Sequence, residues 1–267
     1  MSKTNIMKNT KRVLLFLILA FTVQINFAQS KSDDPTFVLV HGAWHGGWCW
    51  KDVKENLIKE NFATYTPSLS GMGEHGHNLN DSISLKTHIL DIISLIVMED
   101  LENVVLVGHS YAGSVITGVA DSIPERLNKL IFLDAMLVHD GESPITSEPK
   151  SEQLKKKKVF DKKEHFDPIS STYFGVSDIE KVKWVNARLT PQPYMTFGQP
   201  LQLQHAFGNG LPMVYIACTN PQLSVLKDRS DELKNEPGWK YLTLNTGHDA
   251  MITMPNELSV MLMELAK

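Results

Sequence analysis

The sequence is poor in cysteine, in excess positive charge and in long apolar runs. Its two cysteines, Cys49 and Cys218, cannot make a disulfide framework, and we expect both to be buried thiols. A net charge of −4 argues against nucleic acid as a main partner. The composition is otherwise that of a globular protein, with 42% hydrophobic and 21% charged residues. A chain of 267 residues is long enough for one α/β domain with a sizeable core.

The first 28 residues have the pattern of a secretory signal peptide. Lys8, Lys11 and Arg12 precede an apolar run over residues 13–23, and Ala28 is a small residue at a position suited to cleavage. The run is shorter than the ~20 apolar residues that a transmembrane helix needs, although a retained anchor is the alternative. We therefore expect a secreted or periplasmic protein, with no stable membrane insertion after signal removal, whose domain spans residues 29–267.

Apolar runs rich in β-branched residues alternate with helical spacing along the rest of the chain. The pattern predicts strands at 36–40, 62–69, 104–107, 129–134, 213–219 and 239–244, and helices at 48–60, 83–98, 111–122, 223–235 and 254–266. This alternation predicts an α/β fold with a doubly wound, mainly parallel sheet. Residues 138–208 interrupt it with polar and charged residues, and we predict that they form a lid inserted over the strand ends.

One predicted strand runs directly into a tight turn that carries a serine. After residues 104–107 the chain reads G-H-S-Y-A, which matches the G-x-S-x-G nucleophile elbow with alanine in the last place. This motif holds a serine hydroxyl clear of the sheet on a strained turn. The residues two before and two after the serine come into close contact there, so Gly108 and Ala112 must be small. Ser110 is therefore the predicted nucleophile.

A serine hydroxyl needs a general base, because its pKa is far too high for ionisation at neutral pH. His248 follows the last predicted strand, and in folds with a nucleophile elbow the histidine comes late in the chain from such a loop. The remaining histidines lie in helix, lid or loop contexts. Two of them, His75 and His77, could bind a metal, but two ligands in one loop are weak support for a site. We predict that the protein needs no metal and no organic cofactor.

The glycine-rich turn after the first strand suits an oxyanion hole. It reads H-G-A-W-H-G-G-W from His41, and glycines allow backbone N–H groups to approach a substrate closely. We predict two donors to the oxyanion. One is the backbone N–H of Ala43 in this turn, and the other is that of Tyr111, the residue after the nucleophile.

Three motifs together resemble a known family: H-G-A-W-H-G-G-W-C-W from His41, V-G-H-S ending at Ser110, and G-H ending at His248. They are similar to those of the α/β-hydrolases that include plant methyl-ester esterases, hydroxynitrile lyases and bacterial salicylate-esterase-like proteins. The resemblance covers nearly all of the expected mature chain. It implies the α/β-hydrolase fold and a carboxylesterase for small esters. The lyases have threonine and lysine where this chain has Gly42 and Asp249, which favours hydrolysis over cyanohydrin cleavage.

The acid that would complete a catalytic triad is absent from its usual place in that family. This place follows the strand at 213–219, where the chain reads C-T-N-P. We favour Asp134, at the end of the preceding strand, because some hydrolases of this fold take their acid from there. Its carboxylate could hold the far nitrogen of His248 and fix the tautomer. The alternatives are Asp228 folding back, or no acid at all, with Asn220 orienting the histidine.

The sequence thus predicts a serine hydrolase whose partner is a small-molecule ester, cleaved through an acyl-enzyme on Ser110. Two rivals remain. One is different chemistry in the same pocket, such as lactone or amide hydrolysis or C–C or cyanohydrin lysis. The other is a non-catalytic small-molecule receptor, which the missing acid favours. The sequence predicts neither the substrate nor the oligomeric state.

Overall fold

A computed structural model describes residues 34–267, and the predicted signal peptide lies outside this range. Within it, six strands form one parallel sheet in the order β2-β1-β3-β4-β5-β6. They are β1 (Thr36–Val40), β2 (Thr64–Tyr65), β3 (Val104–His109), β4 (Leu127–Leu133), β5 (Met213–Cys218) and β6 (Trp239–Leu244). The prediction of a doubly wound parallel α/β fold is confirmed.

Helices connect these strands. They are α1 (Lys51–Lys59), α2 (Leu85–Met98), α3 (Ala112–Ser122), α4 (Lys150–Asp161), α5 (Ile179–Asn186), α6 (Tyr194–Gly198), α7 (Ser224–Glu232), α8 (Ala250–Thr253) and α9 (Pro255–Ala266). The segment predicted as a lid lies between β4 and β5 in the chain and forms α4, α5 and α6 without adding a strand to the sheet. Across residues 34–267, no helix is both long and apolar enough to cross a membrane.

The strands are buried on both sides because successive side chains point to opposite faces. On β1, Val38 and Val40 join a core cluster with the apolar residues of α2 and α3. Phe37 and Leu39 join a second cluster with those of α1 and α9. The sheet is therefore covered by helices on both faces, which leaves the carboxyl edge of its strands as the place for a ligand.

The predicted strand at 62–69 is wrong in extent, because β2 covers only Thr64–Tyr65. Side chains from elsewhere take the next backbone donors. The N–H of Leu69 donates to His41 Nε2 at 3.0 Å, and that of Ser70 donates to Asp91 Oδ2 at 2.8 Å. These bonds replace strand pairing, so the chain leaves the sheet early and turns toward the site.

Candidate active site

The turn between β3 and α3 holds Ser110 in a strained conformation. Its φ is 55°, a left-handed value that few residues other than glycine adopt. Two backbone bonds brace the turn: Ser110 N–H donates to Leu133 O at 3.2 Å, and Met136 N–H donates to Ser110 O at 2.9 Å. A Cβ at Gly108 would lie 2.8 Å from Ala112 O, so the predicted close contact across the elbow is present.

Asp134 lies against His248. The residue comes directly after β4, with φ at 40°, and its Oδ2 is 2.6 Å from His248 Nδ1. Its other oxygen, Oδ1, accepts the N–H of Cys218 at 3.1 Å. Both side chains are almost completely buried. Because the carboxylate only accepts, Nδ1 carries the proton, and the lone pair of the imidazole stands on Nε2.

The two alternatives to Asp134 lie elsewhere. Asp228 is exposed on α7, and Asn220 is exposed after β5, where its backbone N–H donates to Thr246 O at 2.9 Å. His75 and His77 are also exposed, on a short 3-10 turn. Over the described part of the chain, no group of three or more His, Cys, Asp or Glu side chains is arranged to hold a metal ion.

The two residues that carry the predicted oxyanion donors line the same cavity as Ser110. Tyr111 precedes the first residue of α3, and Ala43 belongs to the turn after β1. Neither backbone N–H donates a hydrogen bond to any residue in 34–267. Gly42 packs against the elbow so closely that a Cβ there would lie 2.8 Å from the Cβ of Ser110. Two unused donors thus stand close to the serine, and α3 adds the positive end of its dipole.

A cavity of about 80 Å³ is lined by Ser110, a half-buried residue whose hydroxyl makes no hydrogen bond within the described residues. The wall is mainly apolar and comes from three parts of the chain. The residues around the turns are Ala43, Trp44, Ser110, Tyr111 and Met136; the predicted lid adds Glu148, Glu152, Lys156, Ile169, Tyr173, Phe174 and Phe197; and the segment around the start of α7 adds Leu223, Val225 and Leu226.

Three buried histidines near the site have lowered pKa values, chiefly because burial disfavours the charged imidazole. The pKa of His41 is lowered to about 3 and that of His88 to about 4, while that of His109 is also well below its usual value. His41 Nδ1 faces Gly42 O at 2.8 Å while its Nε2 accepts from Leu69, so this ring is the neutral Nδ1–H tautomer.

The sequence did not reveal how the predicted lid is bonded to the glycine-rich turn at residues 41–48, called the oxyanion turn below. Trp44 N–H donates to Gln192 Oε1 at 3.2 Å, and its indole N–H donates to Phe166 O at 3.0 Å. In return, Thr190 N–H donates to Trp44 O at 2.9 Å. These partners are more than a hundred residues away in the chain, and no local pattern marks them. Segment 138–208 therefore also fixes the turn that carries Ala43.

Comparisons with known proteins agree with this geometry. The model of the alpha/beta hydrolase family matches residues 37–259. A carbendazim hydrolyzing esterase from Nocardioides sp. (strain SG-4G) is 37% identical over 233 residues, which cover 84% of this chain and 96% of that protein. Methylesterase 10 from Arabidopsis thaliana is 28% identical over 255 residues, covering 86% and 91%.

A solved structure shares the fold. It is an extracellular alpha/beta-hydrolase from a Paenibacillus species, with a TM-score of 0.74 and 21% identity, and the match covers 86% of this chain and 98% of that one. The resemblance drawn from the three motifs is confirmed by these relatives. A nucleophile elbow on a six-stranded parallel sheet and a family match over most of the sequence lead to one conclusion: the chain belongs to the alpha/beta hydrolase family.

Proposed function

We propose that the protein is a serine hydrolase that cleaves a small carboxylic ester. The observation that carries this proposal is the hydrogen bond between Asp134 and His248 at the same edge of the sheet as Ser110. Similarity to a named esterase and to plant methylesterases supports the same reaction class. The contact of Asp134 with His248 takes the place of the acid that is absent after β5, which supports a hydrolase rather than a receptor.

The reaction follows from the roles of these groups. Ser110 Oγ attacks the ester carbonyl while His248 Nε2 takes the hydroxyl proton. The N–H groups of Ala43 and Tyr111 donate to the oxyanion that forms, and Asp134 stabilises the imidazolium. His248 then gives its proton to the departing alkoxide, which leaves as an alcohol. Water, deprotonated by the same histidine, attacks the acyl-enzyme and releases the carboxylic acid.

The cavity limits the substrate. Its volume of about 80 Å³ suits a small acyl or alcohol group, and aromatic side chains from Trp44, Tyr173, Phe174 and Phe197 form much of its wall. Such a wall stabilises an apolar or aromatic group by removing it from water. The substrate we propose is therefore a compact ester with one apolar side, rather than a long-chain lipid.

Turnover of p-nitrophenyl acetate tests the proposal, together with labelling by a fluorophosphonate. The intact chain should release nitrophenol catalytically and take up one fluorophosphonate on Ser110. Ser110→Ala and His248→Ala should both abolish turnover, and Ser110→Ala should abolish labelling. Turnover unaffected by Ser110→Ala would contradict the mechanism. Absence of both turnover and labelling in the intact chain would favour the receptor instead.

We also infer that the chain is exported, from the signal-peptide pattern of residues 1–28. An extracytoplasmic esterase would meet its substrate outside the cytoplasm, whether it is periplasmic or secreted. Amino-terminal sequencing of the protein recovered from the periplasm and the culture medium tests this inference. A mature chain that begins near Gln29 supports it, whereas a chain that keeps residues 1–28 in the cytoplasmic fraction contradicts it.

A further inference from the structure

An acidic residue that the proposed mechanism does not use lies directly after His248. Asp249 is completely buried, and neither of its oxygens accepts a hydrogen bond from any residue in 34–267. Taking a carboxylate out of water without compensation costs several kcal/mol. The fold must therefore place a cation or a proton beside this group.

Two imidazoles face the Asp249 carboxylate. His45 Nε2 lies 3.3 Å from Oδ2, and His109 Nε2 lies 4.0 Å from Oδ1. His109 Nε2 also faces the carbonyl of His248 at 3.1 Å, which only accepts, so the Nε2–H of His109 is already used. Burial, followed by the neighbouring imidazoles, lowers the pKa of His109 well below its usual value, so this ring is neutral.

His45 is in a different situation. Its Nδ1 lies 2.8 Å from Ala43 O, and because a carbonyl only accepts, Nδ1 carries a proton. Its Nε2 lies within ion-pair distance of the carboxylate without the alignment of a hydrogen bond, and the nearby negative charge favours a second proton there. Burial would lower the pKa of His45, but the charge of Asp249 and contact with it outweigh burial, so the pKa is raised. His45 is therefore the group placed to balance the charge of Asp249.

Burial holds four other titratable groups around this pair neutral. Burial raises the pKa of the Cys49 and Cys218 thiols well above their usual values, and the charge of Asp249 raises both further. His41, on the other side of His45, has a pKa lowered to about 3. His109 is neutral as described, and the His248 ring contacts it with the two centroids 4.5 Å apart.

The two members of the pair belong to the two loops that the proposed reaction must hold together. His45 lies within the oxyanion turn and donates to the carbonyl of Ala43, whose N–H is one predicted oxyanion donor. Asp249 follows His248, and its own N–H donates to Phe174 O at 3.1 Å in the predicted lid. A pair in this place links the turn that carries the Ala43 N–H to the loop that carries His248.

We propose that His45 and Asp249 form a buried ion pair that positions the oxyanion turn relative to His248. Neither residue touches the substrate; both act through the groups next to them. The proposal rests on the ester hydrolysis proposed above. It predicts that the Ala43 N–H loses its alignment when the pair is discharged, although Ser110, His248 and Asp134 are unchanged.

Asp249→Asn tests this role, because it keeps the size of the side chain and removes its charge. The readout is kcat/KM for an ester and for the matching thionoester, whose sulfur is a weaker acceptor and depends less on oxyanion donors. Loss of one such donor costs roughly 10²–10³ in kcat, so partial misalignment should lower kcat about 30-fold. KM should stay within about threefold, and the ester-to-thionoester ratio should fall about tenfold.

Ser259→Ala is the matched control. Ser259 is also buried, and its hydroxyl donates to Pro255 O within α9, away from the site. This variant should lose stability without changing the ester-to-thionoester ratio. The positioning role is contradicted if Asp249→Asn keeps the wild-type ratio, either with wild-type kcat or with equal losses on both substrates.

A second measurement does not depend on activity or on a variant that folds poorly. Nitrogen-15 NMR of the wild-type chain near neutral pH should show both ring nitrogens of His45 protonated, with the signals assigned by their loss in His45→Gln. A neutral His45 would overturn the ion pair. If the wild-type chain hydrolyses no ester but His45 is charged, the proposed function fails while the ion pair stands.

Discussion

The Asp134 carboxylate has two hydrogen bonds, one from the Cys218 N–H and one with the ring of His248. The first fixes its position at the end of β4, and the second fixes the tautomer of the histidine. An amide at position 134 could rotate its NH₂ toward Nδ1 and so stabilise the wrong tautomer, with the proton on Nε2.

Asp134→Asn should therefore lower kcat by about 10³–10⁴-fold with little change in KM. Steady-state hydrolysis of p-nitrophenyl acetate measures the effect. Asp228→Asn is the control, because Asp228 is exposed on α7 and should leave kcat unchanged. The reverse pattern in the two variants would contradict the assignment of Asp134.

Some of these side chains could be placed from the sequence and others could not. Ser110 and His248 follow from a short motif and from chain order, and Asp134 is favoured because some hydrolases of this fold take their acid from the end of the preceding strand. Asp249 looked like a mere departure from the lyase pattern, and His45 like part of a glycine-rich turn. Their pairing depends on two loops that meet only in three dimensions, so no local spacing reveals it.

Helix α3 packs closely on the elbow because it has glycine where it crosses the chain after β4. A Cβ at Gly113 would lie 2.1 Å from the backbone oxygen of Met136, which cannot move without shifting the turn. At Gly118 on the same helix, the nearest atom is Ile89 Cδ1 at 2.4 Å, the end of a half-buried and flexible side chain.

We expect Gly113→Ala to destabilise the protein by about 2 kcal/mol or more, although alanine favours a helix by about 1 kcal/mol, because overpacking outweighs propensity. Gly118→Ala should cost much less, since Ile89 can change rotamer. Urea denaturation of both variants measures the two values. Equal losses would show that the contact with Met136 O does not decide the stability of this helix.

Helix α4 of the predicted lid and the residues just before it bring a charged pair to the wall of the cavity. Lys156 forms a salt bridge with Glu148, and its Nζ lies 4.5 Å from the centre of the Phe197 ring. The Glu148 side chain is only 5% exposed, and its Oε2 accepts no hydrogen bond within the described residues. Burial raises the pKa of Glu148, and the charge of Lys156 opposes that rise.

Lys156→Met should cost about 3 kcal/mol near neutral pH, because it leaves a buried carboxylate without its cation. The loss should shrink as the pH falls, since Glu148 then takes up a proton and becomes neutral. Denaturation at several pH values measures this trend. Lys157→Met is the control, because Lys157 pairs with Asp161 in solvent and should have no measurable effect. A loss that is independent of pH would contradict the charge argument.

Strands and helices were predicted well where the pattern is local, as at Thr36–Val40 and Trp239–Leu244, which match in full. The prediction failed beyond β2, where the backbone N–H groups of Leu69 and Ser70 donate to His41 and Asp91 from distant parts of the chain. The path of segment 138–208 could not be predicted either. Its Gln192 and Phe166 accept hydrogen bonds from Trp44, and no pattern within the segment indicates these contacts.

The folded chain buries several histidines as neutral rings, which makes its stability depend on pH. The folded pKa values of His41 and His88 are lowered to about 3 and about 4 from 6.5, the value expected in the unfolded chain. Below 6.5 the unfolded chain therefore binds protons that the folded chain does not. The contribution of His41 and His88 to the free energy of unfolding is complete above pH 6.5 and declines as the pH falls toward their folded pKa values. The pKa of His45 is raised in the folded chain, so its contribution to stability changes with pH in the opposite direction.

The free energy of unfolding should thus fall as the pH decreases from about 6.5 to about 4, by about 1.4 kcal/mol per pH unit for each histidine that stays neutral. Denaturant titrations across this range measure the slope. His88→Gln should reduce the slope by about 1.4 kcal/mol per pH unit, the contribution of one proton. This holds whatever the variant does to the absolute stability. A slope that is unchanged in His88→Gln would contradict the lowered pKa of His88.

The proposed hydrolysis depends on Ser110 Oγ becoming the acylated atom. The most direct test mixes the intact chain with p-nitrophenyl acetate, quenches the reaction with acid within milliseconds, and maps the acetyl group by peptide mass spectrometry. We expect one acetyl group per chain on the peptide that contains Ser110, and none in Ser110→Ala. An acetyl group on another residue would contradict the proposed mechanism. So would nitrophenol release with no acetylated Ser110 at any time.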